Sequence, residues 1–210
     1  MGEENSGIEA KGPHRVLVFC ASSAGCDPVY HEAAAQLGRA LARASLTVVY
    51  GGGAVGSMGA LADAALAEGG QVIGIQPRFM SELEWTHSRL SGLHIVDDMQ
   101  ERKRMMLATS DAVVALPGGS GTFEELFEAI TAKRLGLYLN PIVLVNQRGF
   151  FDPCLELLDR AIHERFMDAR HREMWQVVES PEQVIAAMQS SPAWSREALG
   201  FAAVSGRSKA

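Results

Sequence analysis

No basic stripe runs through this chain. Asp and Glu together number 25 against 19 Lys and Arg, a formal net charge of −6, and the densest basic run is Arg102–Arg104. That shortage excludes nucleic acid and anionic membrane surfaces as electrostatic partners, since both need clustered cations. Paired cysteines are missing as well: Cys20, Cys26 and Cys154 are odd in number with no CxxC. Neither a disulfide framework nor a zinc site follows, and reduced thiols in a cytoplasmic protein are the expectation. His14, His31, His87, His94, His163 and His171 form no HxxxH or HxH pair, so no metal is expected. No apolar run approaches the roughly 20 residues of a membrane span. The opening "MGEENSGIEAKGPH" has no apolar core of the kind that marks a signal peptide.

What is present is a regular alternation. Short β-branched runs at 15–20, 46–50, 71–75, 111–116 and 141–146, with a weaker one near 175–180, read as buried parallel strands because they do not alternate with polar residues. Amphipathic segments lie between them, at about 28–44, 56–69, 98–109, 122–136, 152–165 and 181–189. Asp152-Pro153 and Ser180-Pro181 each place a capping side chain before a first-turn proline and mark two helix starts. Such a chain is expected to fold as a single α/β domain, a Rossmann-like doubly wound parallel sheet over 14–190, with loose tails at 1–13 and 191–210. Ligands of such sheets bind beyond the carboxyl ends of the strands, where the strand order reverses.

Three strand-to-helix junctions are therefore candidate ligand sites: "FCASSAG" after the first strand run, and the glycine-rich stretches after the second and the fourth. "GGGAVG" at 51–56 contains GxGxxG, but it follows the second strand of its unit instead of the first. The next strand ends in Pro77-Arg78 without the acidic residue that holds the ribose of NAD, so a nicotinamide cofactor is disfavoured, with NADP through Arg78 as the surviving form. "LPGGSGT" at 116–122 lacks the Lys-Ser/Thr of a Walker A loop. Gly118, Gly119 and Gly121 can still expose backbone N–H groups, and Thr122 adds a hydroxyl at the expected helix start, which together make a phosphate site. The same spacing makes Thr122 and Glu125 a capping box, in which Glu125 serves only the Thr122 backbone. Glu124 and Glu128, four residues apart, read as a solvated edge.

The helix feeding the fourth strand run, 97–111, aligns Met99, Arg102, Met106 and Thr109 on one face. A cation inside an apolar stripe is uncommon unless it is paired or faces a site. Near the start of a helix it is also unfavourable toward the dipole, so something anionic should compensate it. Lys103 and Arg104 read as solvated neighbours.

Taken together, "ERK" at 101–103 followed by "PGGSGTFEE" at 117–125 resembles the signature of the LOG ("lonely guy") cytokinin-activating phosphoribohydrolases. The likeness extends to "FCASSAG", "YGGGAVGSMGALADAAL", "VIGIQPR", "AITAKRLGLYLNPIVLVN" and "GFFDPCLELLDRAI", and so covers about residues 14–190. The resemblance implies hydrolysis of the N-glycosidic bond of a nucleoside 5′-monophosphate, with an adenine-type base, often N6-substituted, and ribose 5-phosphate as products. It also implies a homodimer and no cofactor. Carried over by position, the catalytic pair falls on Arg102 and Glu125. Substrate contacts fall on Glu84, Lys103, Gly118, Gly119, Ser120, Gly121 and Thr122. Ser120 stands where plant members often have Tyr, Ala132-Lys133 replaces their Trp-Ala, and Ala21 replaces a glycine, which leaves the preferred base open. Nothing in the chain marks a lysine for pyridoxal phosphate. The alternative is a non-catalytic carrier of a nucleotide or of molybdenum cofactor, because carriers of similar fold also have PGGxGT loops.

Overall fold

The computed structural model describes residues 14–83 and 86–202. Seven strands form one sheet: β1 (Arg15–Phe19), β2 (Thr47–Tyr50), β3 (Val72–Pro77), β4 (Gly92–Val96), β5 (Ala112–Ala115), β6 (Ile142–Val145) and β7 (Gln176–Val178). Their order is β4-β3-β2-β1-β5-β6-β7, and every neighbouring pair is parallel. The chain builds outward from β1 to one edge, crosses back, and builds outward again from β5. The order therefore reverses between β1 and β5. Asp111 fixes that junction by accepting from the backbone N–H groups of His14 and Arg15, at 3.0 and 2.9 Å.

Among the described residues there are seven α-helices: α1 (Pro28–Arg43), α2 (Gly56–Ala67), α3 (Arg78–Leu83), α4 (Met99–Ala108), α5 (Ser120–Arg134), α6 (Asp152–His163) and α7 (Val184–Ser190). Side chains alternate along each strand and divide the core accordingly. Val16, Val18 and Cys20 pack with α1, α2 and α7. Leu17 and Phe19 pack with α4, α5 and α6. Burial on both faces is the physical reason these strands read as unbroken apolar runs.

Several local expectations change. The strand β4 and the short helix α3 carry no clear signal in the sequence. In β4, Leu93, His94 and Ile95 are exposed at the sheet edge, so no core-facing pattern was imposed on them. The α5 helix begins at Ser120 with Gly119 as its N-cap, not at Thr122. The α6 helix already includes Asp152, with Phe151 as N-cap; Asp152 instead accepts from the Asn146 amide at 2.6 Å. Ser180 does cap the turn Pro181–Gln183, and Gln183 returns a bond to the Ser180 N–H at 3.2 Å.

The segment read as a C-terminal tail from 191 is packed as far as residue 202. Trp194 Nε1 donates to the Lys133 carbonyl at 2.8 Å, Arg134 Nε donates to the Ala202 carbonyl at 2.8 Å, and Ala198 is buried. Residues 1–13 and 203–210 lie outside the described residues. Among the described residues no helix is long and apolar enough to cross a membrane.

Candidate functional site

A cavity of about 350 Å³ opens at the reversal point. Its walls come from the loop after β1 (Cys20 to Ser23), from Gly119–Thr122, Glu124 and Glu125, from Arg102, and from Met58, Met80 and Met99. Inside α5 the first N–H taken up is that of Phe123, by the Gly119 carbonyl at 3.1 Å, and no side chain caps the helix. The N–H groups of Ser120, Gly121 and Thr122 are thus left at the mouth of the cavity, with the positive end of the dipole behind them. Gly118 makes room for this turn: a Cβ there would run into the Thr122 side chain.

Starting α5 two residues earlier than expected changes the part played by Glu125. Thr122 lies inside the first turn, so the reciprocal Thr122–Glu125 cap is not made, and the Glu125 carboxylate turns to the cavity instead. It is 9% exposed, and burial pushes its carboxyl up to about 7 against the opposing pull of Arg102. Arg102 is 4% exposed and lies on the inward face of α4. Its Nε donates to the Ile75 carbonyl at 3.1 Å, and Nη1 stands 3.5 Å from Glu125 Oε1. The compensating anion that the sequence demanded for this cation is Glu125.

Lys103 points the other way. Its ammonium is bound by Glu124 and lies 2.6 Å from Glu128 Oε2, and these two partners raise its pKa. It does not line the cavity, and the pair Glu124 and Glu128 is not the free solvated edge its spacing suggested. Glu84 lies outside the described residues. Three cavity residues had no functional signal in the sequence. Met58, Met80 and Met99 come from three different helices, and only their convergence in space marks them. The Cys20 thiol at the floor is pushed up by burial and by the charge of Glu125, so it stays protonated and is no nucleophile.

Among the described residues, no three of His, Cys, Asp and Glu gather as a metal site, and no lysine lines the cavity for a Schiff base. The close approach that the 51–56 glycines permit is taken by the protein's own Arg102 and Met58.

A family model described as "Possible lysine decarboxylase" matches residues 58–188. A cytokinin riboside 5′-monophosphate phosphoribohydrolase of Rhodococcoides fascians is 42% identical over 179 residues, 85% of this chain and 90% of that protein. The chain belongs to the LOG family. A second LOG relative, one of the cytokinin riboside 5′-monophosphate phosphoribohydrolases of Arabidopsis thaliana, is 41% identical over 167 residues, covering 80% of this chain and 78% of its own length. Among solved structures, the molybdenum cofactor carrier protein of Chlamydomonas reinhardtii superposes with a TM-score of 0.65 at 20% identity. The match spans 85% of this chain and 97% of that one, and it shows a shared fold alone.

Proposed function

We propose that the protein is a nucleoside 5′-monophosphate phosphoribohydrolase, cleaving the bond between ribose C1′ and the base of an N6-substituted adenosine 5′-monophosphate. The products are a free cytokinin-type base and ribose 5-phosphate. One observation carries this reading: the buried Arg102–Glu125 pair, 3.5 Å apart, beside a helix N-terminus with open donors. The substrate is anionic at its phosphate and becomes cationic at C1′ as the C–N bond breaks. The N–H groups and hydroxyl of Ser120, Gly121 and Thr122 suit the first charge, and the Glu125 carboxylate suits the second.

With a pKa of about 7, Glu125 is poised to take a proton from the attacking water near neutral pH. The hydroxyl of that water ends on C1′, and its proton ends on the departing base nitrogen. Arg102 keeps a share of Glu125 ionised despite burial. Lys103, held by Glu124 and Glu128, serves by restraining the acidic neighbours of Glu125; a direct contact with substrate requires its release from them. The methionine wall supports an apolar group on the base, because thioether chains adapt to irregular apolar shapes. The names of the relatives, at 42% and 41% identity over most of their lengths, support the same substrate class.

The same reading places the protein in the cytoplasm, where its three free thiols stay reduced. It also makes the protein a homodimer, with the exposed Leu135, Leu137 and Leu139 as apolar surface for the partner to cover. A pure carrier of similar fold needs the anion loop but not a buried guanidinium–carboxylate pair. Incubation with AMP and with isopentenyladenosine monophosphate, followed by chromatography for free base, tests reaction and preference together. Release from the prenylated substrate is the expected result. Nucleotide binding without base release would overturn the assignment in favour of a carrier.

A further inference from the structure

The glycines after β2 are glycine for different reasons. Gly52 and Gly56 hold left-handed backbone, with φ of +85° and +64°, and a Cβ on Gly56 would also drive into the backbone of Ser22 and Ser23. Those two shape the turn. Gly51 has neither constraint. Its φ lies outside the left-handed region, and the nearest atoms a Cβ would meet all belong to flexible side chains: Arg102 Nη2 at 2.5 Å, Met58 Cε at 3.0 Å and Met58 Sδ at 3.4 Å. The guanidinium therefore lies against the bare Cα of Gly51. Its other sides are held by the Ile75 carbonyl, by Glu125, and by Met99 Sδ 3.9 Å from Nη1.

We propose that Gly51 is a positioning residue for Arg102: the missing side chain at the end of β2 sets where the guanidinium lies, and so its spacing to Glu125. The inference rests on the reading of Arg102 and Glu125 as the hydrolytic pair. A methyl group at 51 requires Nη2 to retreat by about 1 Å while Nε stays on the Ile75 carbonyl, a displacement of the size that can cost on the order of 10²-fold in rate. Backbone conformation and backbone contacts give no reason for a fold defect. The second glycine-rich junction thus gains a part in the same chemistry as the loop after β5, with no cofactor of its own.

The test is a double-mutant cycle on kcat and KM for isopentenyladenosine monophosphate, with thermal melts of every variant. G51A is expected to lower kcat about 10²-fold with KM within about threefold, the pattern of a lost transition-state interaction. Its Tm stays within a few degrees of wild type. In an R102A background the same methyl changes kcat by less than about twofold, because it acts only through the arginine. Equal losses in both backgrounds would overturn the proposal, as would a G51A variant of full activity or one that fails to fold. Full activity in R102A overturns the hydrolytic pair as well, and that result is told apart because it appears without any change at Gly51.

Discussion

Replacing Glu125 by Gln separates what the fold gains from what the reaction needs. The carboxyl is raised from 4.5 to about 7 by burial. In the folded state it holds its proton between those two values, whereas the unfolded chain has released it. Stability contributed by the protonated form is complete below about 4.5 and is lost as pH rises through about 7. The loss across that window is about 3 kcal/mol at 1.36 kcal/mol per pKa unit, an upper limit for a group that keeps slight contact with water. Gln does not titrate, so the constant cost of leaving Arg102 without its partner drops out when two pH values are compared. Ligand-free wild type and E125Q are to be melted at pH 5 and pH 8. The variant should gain on wild type between the two by about 2–3 kcal/mol, or roughly 5–10 °C for a chain of this size. Over the same range kcat/KM of the wild type should rise with an acid limb near 7. A Tm difference that does not change with pH would refute a raised carboxyl at 125, and a change of opposite sign would mean that Arg102 outweighs burial.

Three further outcomes follow from the same geometry. R102A and E125Q should each lower kcat by about 10²–10⁴-fold, as for other acid–base and charge-stabilising groups, read by release of free base. G118A forces a Cβ into the Thr122 side chain; a destabilisation of about 1–3 kcal/mol by urea unfolding, together with weaker phosphate binding, is expected. Lys133 is 1% exposed, its ammonium donates to the Asn140 carbonyl at 2.8 Å, and burial lowers its pKa to about 8. Because the unfolded chain keeps that proton up to about 10.5, wild type should gain stability relative to K133M as pH rises from 8 toward 10, measured by melts at both values.

How legible the molecule was in its sequence depended on whether a residue answers to its neighbours along the chain or across space. The strands β1 to β3, β5 and β6 announce themselves because both of their faces are buried, the half-buried edge strand β7 reads more weakly, and the reversal point follows from their alternation with helices. The edge strand β4 does not, since Leu93, His94 and Ile95 face outward. Arg102 was legible as an oddity inside an apolar stripe. The role of Glu125 was ambiguous because a capping box and a cavity-facing carboxylate share one spacing. The start of α5 at Ser120, before Thr122, decides between them. Lys103 is buried between Glu124 and Glu128 and not solvated as its position suggested, and this turn away from the cavity was not legible. Adjacent residues on α4 point their charges about 100° apart, and only the approach of α5 shows which meets the cavity. The methionine wall depends on three helices meeting, which no local pattern encodes.

The pairing of β1 with β5 joins residues 16–19 to residues 112–115, so the cavity above it belongs to neither half of the chain alone. A bound nucleotide would hold the loop after the first strand and the helix after the fifth at once. No local opening that parts these two strands could keep that ligand. Its binding free energy would be added to the barrier against separating the halves, so substrate should protect the β1 and β5 amides from hydrogen exchange together, as one cooperative unit. During synthesis the same arrangement withholds a complete site until the second half has emerged, and the first half must hold its shape without help from the ligand it will later bind.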